Sequence, residues 1–217
     1  EKDFKANMKI LCKGGVFLKE KEKRSVNNPI RIVYGGGIYI NRWKTLIALA
    51  DTIRKINQNG KKIVLDIYTN TQLQEKFRQK LNDGINVNMY PPVSLKELFN
   101  IYQNSDIALH CEGFDKKSRK TVRLSFSTKI VDCLDSGCAV MAICHEEQAG
   151  FAYLKRNNAA ICISNLGEIE STLNTLINNP NLIIEYQHKA FELGKKNHSI
   201  DKITAMLKQD FQNIINS

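Results

Sequence analysis

The sequence predicts an α/β domain built on a doubly wound parallel sheet, with helices covering both faces. Three observations carry that expectation. Short apolar runs alternate with segments of helical periodicity six times between residues 30 and 163. The runs are continuously apolar rather than alternating, which is the pattern of strands buried on both faces. A chain of 217 residues can also bury a sizeable core, as one large domain or two small ones.

The elements follow in order. Residues 9–12 form a short apolar strand candidate, followed by the turn Lys13-Gly14-Gly15, and the charged stretch 18–28 reads as a loop. Ile30–Gly35 is strand-like and runs into three glycines. Residues 42–56 place Trp43, Leu46, Leu49, Ala50 and Ile53 at helical spacing. A strand over 62–68, a helix over 71–81 and a strand over 87–90 come next. Ser94 with Glu97 three residues on makes a capping box for a helix reaching Gln103. A strand over 107–111 precedes a basic loop over 115–123. The stretch SFSTKIVDCLDSGCAVMAI, residues 125–143, then reads as a helix capped by Ser127 or Thr128 and stopped by Gly137. A buried strand over 139–143 completes it. A helix over 149–155, a strand over 159–163 and three helices over 166–178, 180–193 and 200–215 finish the chain.

Composition narrows the class. With 42% hydrophobic and 25% charged residues, disorder is excluded. No apolar run reaches the ~20 residues of a membrane span, and no signal-peptide core is present. The chain opens at Glu1 without an initiator methionine, so it is expected to be processed or cut from something longer. Six cysteines without a C-x-x-C pair indicate small hydrophobes in a reducing, cytoplasmic compartment. His110, Cys111 and Glu112 are consecutive in one strand, so their side chains alternate between faces and no metal site is expected there. The net charge of +10 is concentrated. Residues 1–24 carry eight Lys/Arg against four Asp/Glu, and residues 115–123 carry five against one. Such patches suit an anionic partner or are solvated loops.

In a doubly wound sheet, ligands bind at the carboxyl ends of the strands, near the switch in strand order. The informative loops therefore follow Tyr34, Tyr90, Cys111 and Ile143. Glycines 35–37 let backbone approach a ligand or permit a tight turn. Ile40 stands where a dinucleotide fingerprint needs its last glycine, and Tyr68-Thr69-Asn70 supplies no ribose-binding acid, which argues against NAD. Lys129 in the first turn of a helix opposes the helix dipole, an arrangement that makes sense around a bound phosphate and is otherwise a solvated lysine. Arg42 pairs with a phosphate or faces solvent. Asp132, at i+4 from Thr128, reaches ribose hydroxyls at the same mouth or is a surface charge paired with Lys129. The two prolines of MYPPVS stiffen a loop able to hold a flat base.

Taken in order, three segments resemble the C-terminal, donor-binding half of a GT-B glycosyltransferase, of the family-4-like kind. They are RIVYGGGIYINRWKTLIALADTI, VNMYPPVSLKELFNIYQNSDIALH and FSTKIVDCLDSGCAVMAI, and the likeness runs from residue 29 to 163. The resemblance implies a Rossmann-like domain over 29–217, one half of a GT-B architecture. Residues 1–28 would be the interdomain linker and first strand, and an N-terminal acceptor domain would be missing. It places Asp132 toward the ribose and Ser127, Thr128 and Lys129 at the diphosphate. Gly36 and Gly37 line the diphosphate loop, Arg42 approximates a phosphate-contacting lysine, and Val93 lies near the base. The family's paired glutamates stand eight apart, whereas Leu124 stands eight before Asp132. Glu112, in CEGFD, is the candidate for the first, catalytic-site glutamate, displaced by the basic insertion. Gly37 replaces the arginine expected after the glycines.

The expected function is transfer of a sugar from a nucleoside-diphosphate sugar to a glycan or lipid acceptor, in the full-length protein. The resemblance further implies retention of configuration, no obligatory metal, and no cofactor beyond the nucleotide-sugar substrate. A chain lacking the acceptor domain is expected to be nearly inactive. A cytoplasmic location is expected, with peripheral contact to an anionic membrane through the 115–123 patch. The alternative is a non-catalytic α/β module for partner or membrane contact. Nucleic-acid binding rests on charge alone and has no motif behind it.

Overall fold

The computed structural model describes residues 12–17 and 25–215. Six parallel strands form one sheet in the order β3-β2-β1-β4-β5-β6. The strands are β1 (Ile30–Gly35), β2 (Ile63–Tyr68), β3 (Val87–Tyr90), β4 (Ile107–Cys111), β5 (Ala139–Ile143) and β6 (Ile161–Ile163). The first three strands wind one way from β1 and the last three wind the other, so the switch point lies between β1 and β4. Ile32 sits at the centre, registered with Leu65 of β2 and Ile107 of β4.

Nine α-helices connect and cover the strands: α1 (Arg42–Ile56), α2 (Glu75–Leu81), α3 (Leu95–Gln103), α4 (Lys116–Val122), α5 (Lys129–Asp135), α6 (Ala149–Arg156), α7 (Ile169–Asn178), α8 (Asn181–Asn197) and α9 (Ile200–Ile215), among the described residues. One face of the sheet packs Ile32, Tyr34, Leu65, Ile107 and Met141 against Leu46, Leu49 and Ile53 of α1 and Leu173 of α7. The other packs Val33, Ala108, Val140 and Ala142 against Ile130 and Leu134 of α5 and Phe151 of α6. Each side chain of this size contributes about 1.5–3 kcal/mol on full burial, so two filled faces fix the sheet between its helices. The doubly wound parallel architecture is as the sequence predicts.

Several boundaries differ. Helix α2 starts at Glu75 instead of residue 71, and β6 is shorter than expected. A 3-10 turn over Leu166–Glu168 precedes α7. Helix α8 continues past Leu193 to Asn197, with Gly194 inside it, because any Cβ at 194 would collide with the ring of Phe17. The expected strand over 9–12 and loop over 18–28 lie largely outside the described residues; Cys12, which is described, is in no strand. The segment 12–17 is anchored instead through Gly15, whose N–H donates to His198 O (2.8 Å) and whose carbonyl accepts from Ile200 N (2.9 Å).

The largest correction concerns the expected loop over 115–123, in which Lys116–Val122 form helix α4. Asp115 caps it, accepting from Ser118 N at 3.1 Å, with Ser118 Oγ also 2.6 Å from the carboxylate. The segment's inward face consists of Ser118 and Val122, one turn apart. That stripe is too narrow to register as amphipathic among five basic residues.

Candidate functional site

The carboxyl ends of β1 and β4 frame the crevice at the switch point. Residues 35–37 leave β1 as a glycine loop, in which Gly36 takes φ +134°, a conformation closed to side chains. A Cβ at Gly36 would stand 2.9 Å from Lys129 Nζ, so the glycine also clears space for the lysine. Lys129, the first residue of α5, lies half-buried over this loop. Its ammonium donates to Tyr34 Oη (3.0 Å) and sits 4.6 Å above the same ring. Tyr34 donates in turn to Gly37 O at 2.7 Å, which ties the loop to the lysine.

From the other side, Glu112 follows β4 and is buried. Both its oxygens are taken by Arg42, through Nε and Nη2 at 2.8 Å each, in a two-pronged ion pair. Arg42 Nη1 reaches Gly37 O at 3.3 Å, and Thr45 Oγ1 donates to Glu112 O at 2.7 Å. Helix α1 and the end of β4 are thereby clasped around the glycine loop. Burial opposes the Arg42 charge, but the Glu112 carboxylate more than offsets it and raises the arginine's pKa. Lys129 moves the other way. Burial, and then the Arg42 charge, lower its pKa from the ordinary lysine value. Among the described residues its ammonium has no carboxylate partner.

Beneath these groups His110, on β4, is fully buried, and neither ring nitrogen has a hydrogen-bond partner among the described residues. Burial first, then the charges of Lys129 and Arg42, push its pKa down to about 3. The imidazole is neutral because a third cation in this volume has no counter-charge. Cys111 beside it is pushed up to about 12, chiefly by burial, and is a thiol. The cluster thus holds two cations against one carboxylate, an excess that suits an anionic ligand.

The structure brings Gly36, Gly37, Arg42, Glu112 and Lys129 together. Arg42 is buried, so a solvent-facing role is excluded, and much of its guanidinium is committed to Glu112. Ser127 and Thr128 precede α5, but neither caps it by its side chain. Thr128 has helical φ/ψ, and the backbone carbonyls of Ser127 and Thr128 accept from Ile130 N (3.0 Å) and Val131 N (3.2 Å). The expected side-chain cap is therefore absent. Asp132 pairs with Lys13 of the incoming segment and not with Lys129. Asp135, one turn on, accepts from Val16 N (2.9 Å) and Phe17 N (3.0 Å), so both acids of α5 engage that segment.

Val93 is half-buried in the loop after β3. That loop borders an open cleft of about 520 Å³ lined by Thr69, Asn70, Arg78, Tyr90, Pro91 and Pro92. Tyr68 and Tyr90 stack at its strand ends, ring centroids 4.8 Å apart. Sequence reasoning missed Tyr34 and His110. An aromatic residue directly before three glycines was the available signal for Tyr34; a histidine inside an apolar strand gave none.

No protein-family model and no curated protein matches this chain. Solved structures do match. TarM superposes with a TM-score of 0.63 at 15% identity, covering 98% of this chain and 38% of that one. The C-terminal domain of LpcC, a glycosyl transferase group 1 family protein from Francisella tularensis, gives 0.57 at 16% identity over 81% of this chain and 89% of that one. Anabaena HepE, solved with UDP and glucose, gives 0.62 at 13% identity over 85% and 48%. The fold is that of a glycosyltransferase domain. The chain spans less than half of TarM and of HepE, and most of the separately solved LpcC domain.

Proposed function

We propose that the chain is the donor-binding half of a GT-B glycosyltransferase, which in the full-length protein transfers a sugar from a nucleoside-diphosphate sugar to a glycan or lipid acceptor. The observation that carries this reading is Lys129: a half-buried ammonium over a glycine loop at the switch point, bonded to a phenol and, among the described residues, to no carboxylate. A diphosphate placed over Gly36 and Gly37 supplies the missing counter-charge. As the bond from the sugar's anomeric carbon to the diphosphate oxygen breaks, negative charge grows on the leaving group. Lys129, fixed in advance by Tyr34, stabilises that charge more than it stabilises the bound donor. The backbone around Ser127 and Thr128 adds amide donors on the same side. Arg42 acts through Glu112 and Gly37, holding the loop in place.

The same reading takes the reaction as retaining and metal-independent. Catalysis needs the acceptor half, so this chain alone binds donor and turns over poorly. A cytoplasmic enzyme working at the inner face of a membrane fits a lipid or glycan acceptor. The alternative of a non-catalytic module has no observation in its favour.

Isothermal calorimetry with UDP and GDP tests the reading. Modest affinity for one of them, unchanged by EDTA, is the expected result. Absence of heat from every nucleoside diphosphate at millimolar concentration removes the donor-site assignment.

A further inference from the structure

Helix α4 and the turn after it carry the densest exposed charge in the described structure. Ser118 and Val122 face inward, while Lys116, Lys117, Lys120 and Arg123 are exposed. Among the described residues one member of the basic set has an acidic neighbour: Arg119, 3.6 Å from Glu147. Asp115, the single acid of the segment, is used as the helix cap. Directly after this basic face stands Leu124, 82% exposed. Its backbone is fixed, because Arg123 O accepts from Ala149 N (2.8 Å) and Ser125 O accepts from Gln148 Nε2 (2.6 Å). A leucine is therefore displayed on a rigid turn beside five cations.

On its other flank α4 borders an open groove of about 510 Å³, shared by Lys117 and Thr121 with Ile38, Tyr39 and Trp43. Tyr39 is 59% exposed. The helix is also pinned to this glycine-loop side of the molecule. Asn41 Nδ2 donates to Asp115 at 2.9 Å, and Ser118 Oγ lies 3.1 Å from Ile40 O. Basic side chains, a projecting leucine and an amphipathic tyrosine thus occupy one rigid neighbourhood.

We propose that this face docks on an anionic membrane surface, with the lysines and arginines against lipid headgroups and Leu124 entering the boundary with the acyl chains. Charge complementarity selects an anionic partner. The apolar component selects a membrane over a nucleic acid, because a polyanion in water offers Leu124 no apolar phase. Tyr39 borders the cluster of Tyr34, Lys129, Arg42 and Glu112, its ring centroid 5.4 Å from the Arg42 guanidinium. The lysines, arginines and Leu124 that carry the proposal are not part of that cluster, so it is tested separately from donor binding.

Co-sedimentation with phosphatidylcholine vesicles, with and without phosphatidylglycerol, tests it. The chain should partition to the anionic vesicles at low salt and be released at high salt. Replacing Lys116, Lys117, Arg119 and Lys120 together by glutamine should reduce partitioning on the order of a thousandfold. Leu124→Ser alone should reduce it about tenfold. Circular dichroism should show both variants folded, and their UDP affinity should stay within about twofold of the parent. Equal partitioning of parent and four-residue variant overturns the proposal. So does a Leu124→Ser variant that partitions like the parent, or an oligonucleotide that binds the patch and displaces the vesicles. Loss of UDP binding with vesicle binding intact would count against the donor reading and leave this one standing.

Discussion

At the β2–β3 edge of the sheet, the Asp83 carboxylate accepts from the amides of Ile85, Asn86 and Val87 at 2.9, 2.6 and 3.0 Å and from Arg54 Nε at 2.7 Å. At the switch point, Lys129 has one phenol and His110 has nothing among the described residues. Both regions are polar and both lie near strand ends. In the first, every strong group is answered from within the fold, and the amides and guanidinium outweigh burial to hold Asp83 well below the usual carboxylate range. In the second, burial and like charge lower the pKa values of Lys129 and His110, and for Lys129 the opposing pull of groups such as Glu112 is too weak to offset them. A polar network that closes on itself stabilises a turn. One left open stores unfavourable free energy that a ligand of the right charge relieves.

The comparison breaks most severely at the one closed pair inside the open cluster. Arg42→Leu leaves Glu112 buried without a counter-ion and should cost about 3–5 kcal/mol in urea unfolding. The double variant Arg42→Leu, Glu112→Leu should recover much of that loss, since it removes both charges. If the single and double variants unfold alike, the pair does not hold the loop. Lys129→Met sharpens the contrast from the other side. It should weaken nucleoside-diphosphate binding by tenfold or more while weakening nucleoside binding little, because charge-assisted hydrogen bonds are worth about 1.5–3 kcal/mol. Its urea midpoint should stay level or rise, because an uncompensated half-buried ammonium is removed. Equal losses for both ligands, or a lowered midpoint, would make Lys129 structural.

His110 gives the next effect, through pH. Its pKa is 6.5 as a free group and about 3 when folded. Between those values the unfolded chain binds a proton that the folded chain refuses, so stability falls as pH drops below about 6.5. From neutrality to about pH 5 the loss should be on the order of 2 kcal/mol. His110→Leu should flatten that dependence. An unchanged slope would mean that other groups govern the acid limb. Asp83→Ala, at the closed cluster, should cost about 1–2 kcal/mol through lost amide and arginine partners, with nucleotide affinity untouched.

How much of this was legible in the sequence depends on which side of the comparison is read. The strands showed in their apolar runs, and the capping box at Ser94 and Glu97 is formed as expected, with Glu97 N donating to Ser94 Oγ at 3.2 Å. Gly137 stops α5 at φ +72°, as its position suggests. These features are local, and propensity or spacing encodes them. The Arg42–Glu112 clasp is not local: 70 residues separate the partners, and only the β1–β4 adjacency brings them together. Arg42 therefore read as a phosphate contact or a solvent group, and Glu112 as a displaced acid, when each is the other's partner. Helix α4 was hidden for a different reason. Its two inward residues, Ser118 and Val122, are too few to produce a periodic signal, and a basic composition reads as loop. Lys129 drew notice in the sequence because a cation against a helix dipole is locally anomalous, but its bond to Tyr34, 95 residues away, was not encoded locally.

The smallest expected effect concerns Asp132, where the two kinds of network meet. Its carboxylate is partly exposed and pairs with Lys13. An exposed pair of that kind is worth about 0.2–1 kcal/mol, so Asp132→Asn should lower the urea midpoint little. If the pair is a closed structural contact, nothing else should change. If the carboxylate instead serves the ribose, as the family resemblance implies, binding must release it from Lys13 to accept from two hydroxyls. The amide of asparagine has only one oxygen with which to accept. UDP should then weaken severalfold on Asp132→Asn, while 2′-deoxy-UDP weakens less. Lys13→Ala separates the readings further. Freeing the carboxylate should tighten UDP slightly in the ribose case and leave it unchanged in the structural one. Calorimetry on the four combinations of protein and ligand decides it: equal responses of ribose and deoxyribose ligands place Asp132 with Asp83, among the groups the fold has already satisfied.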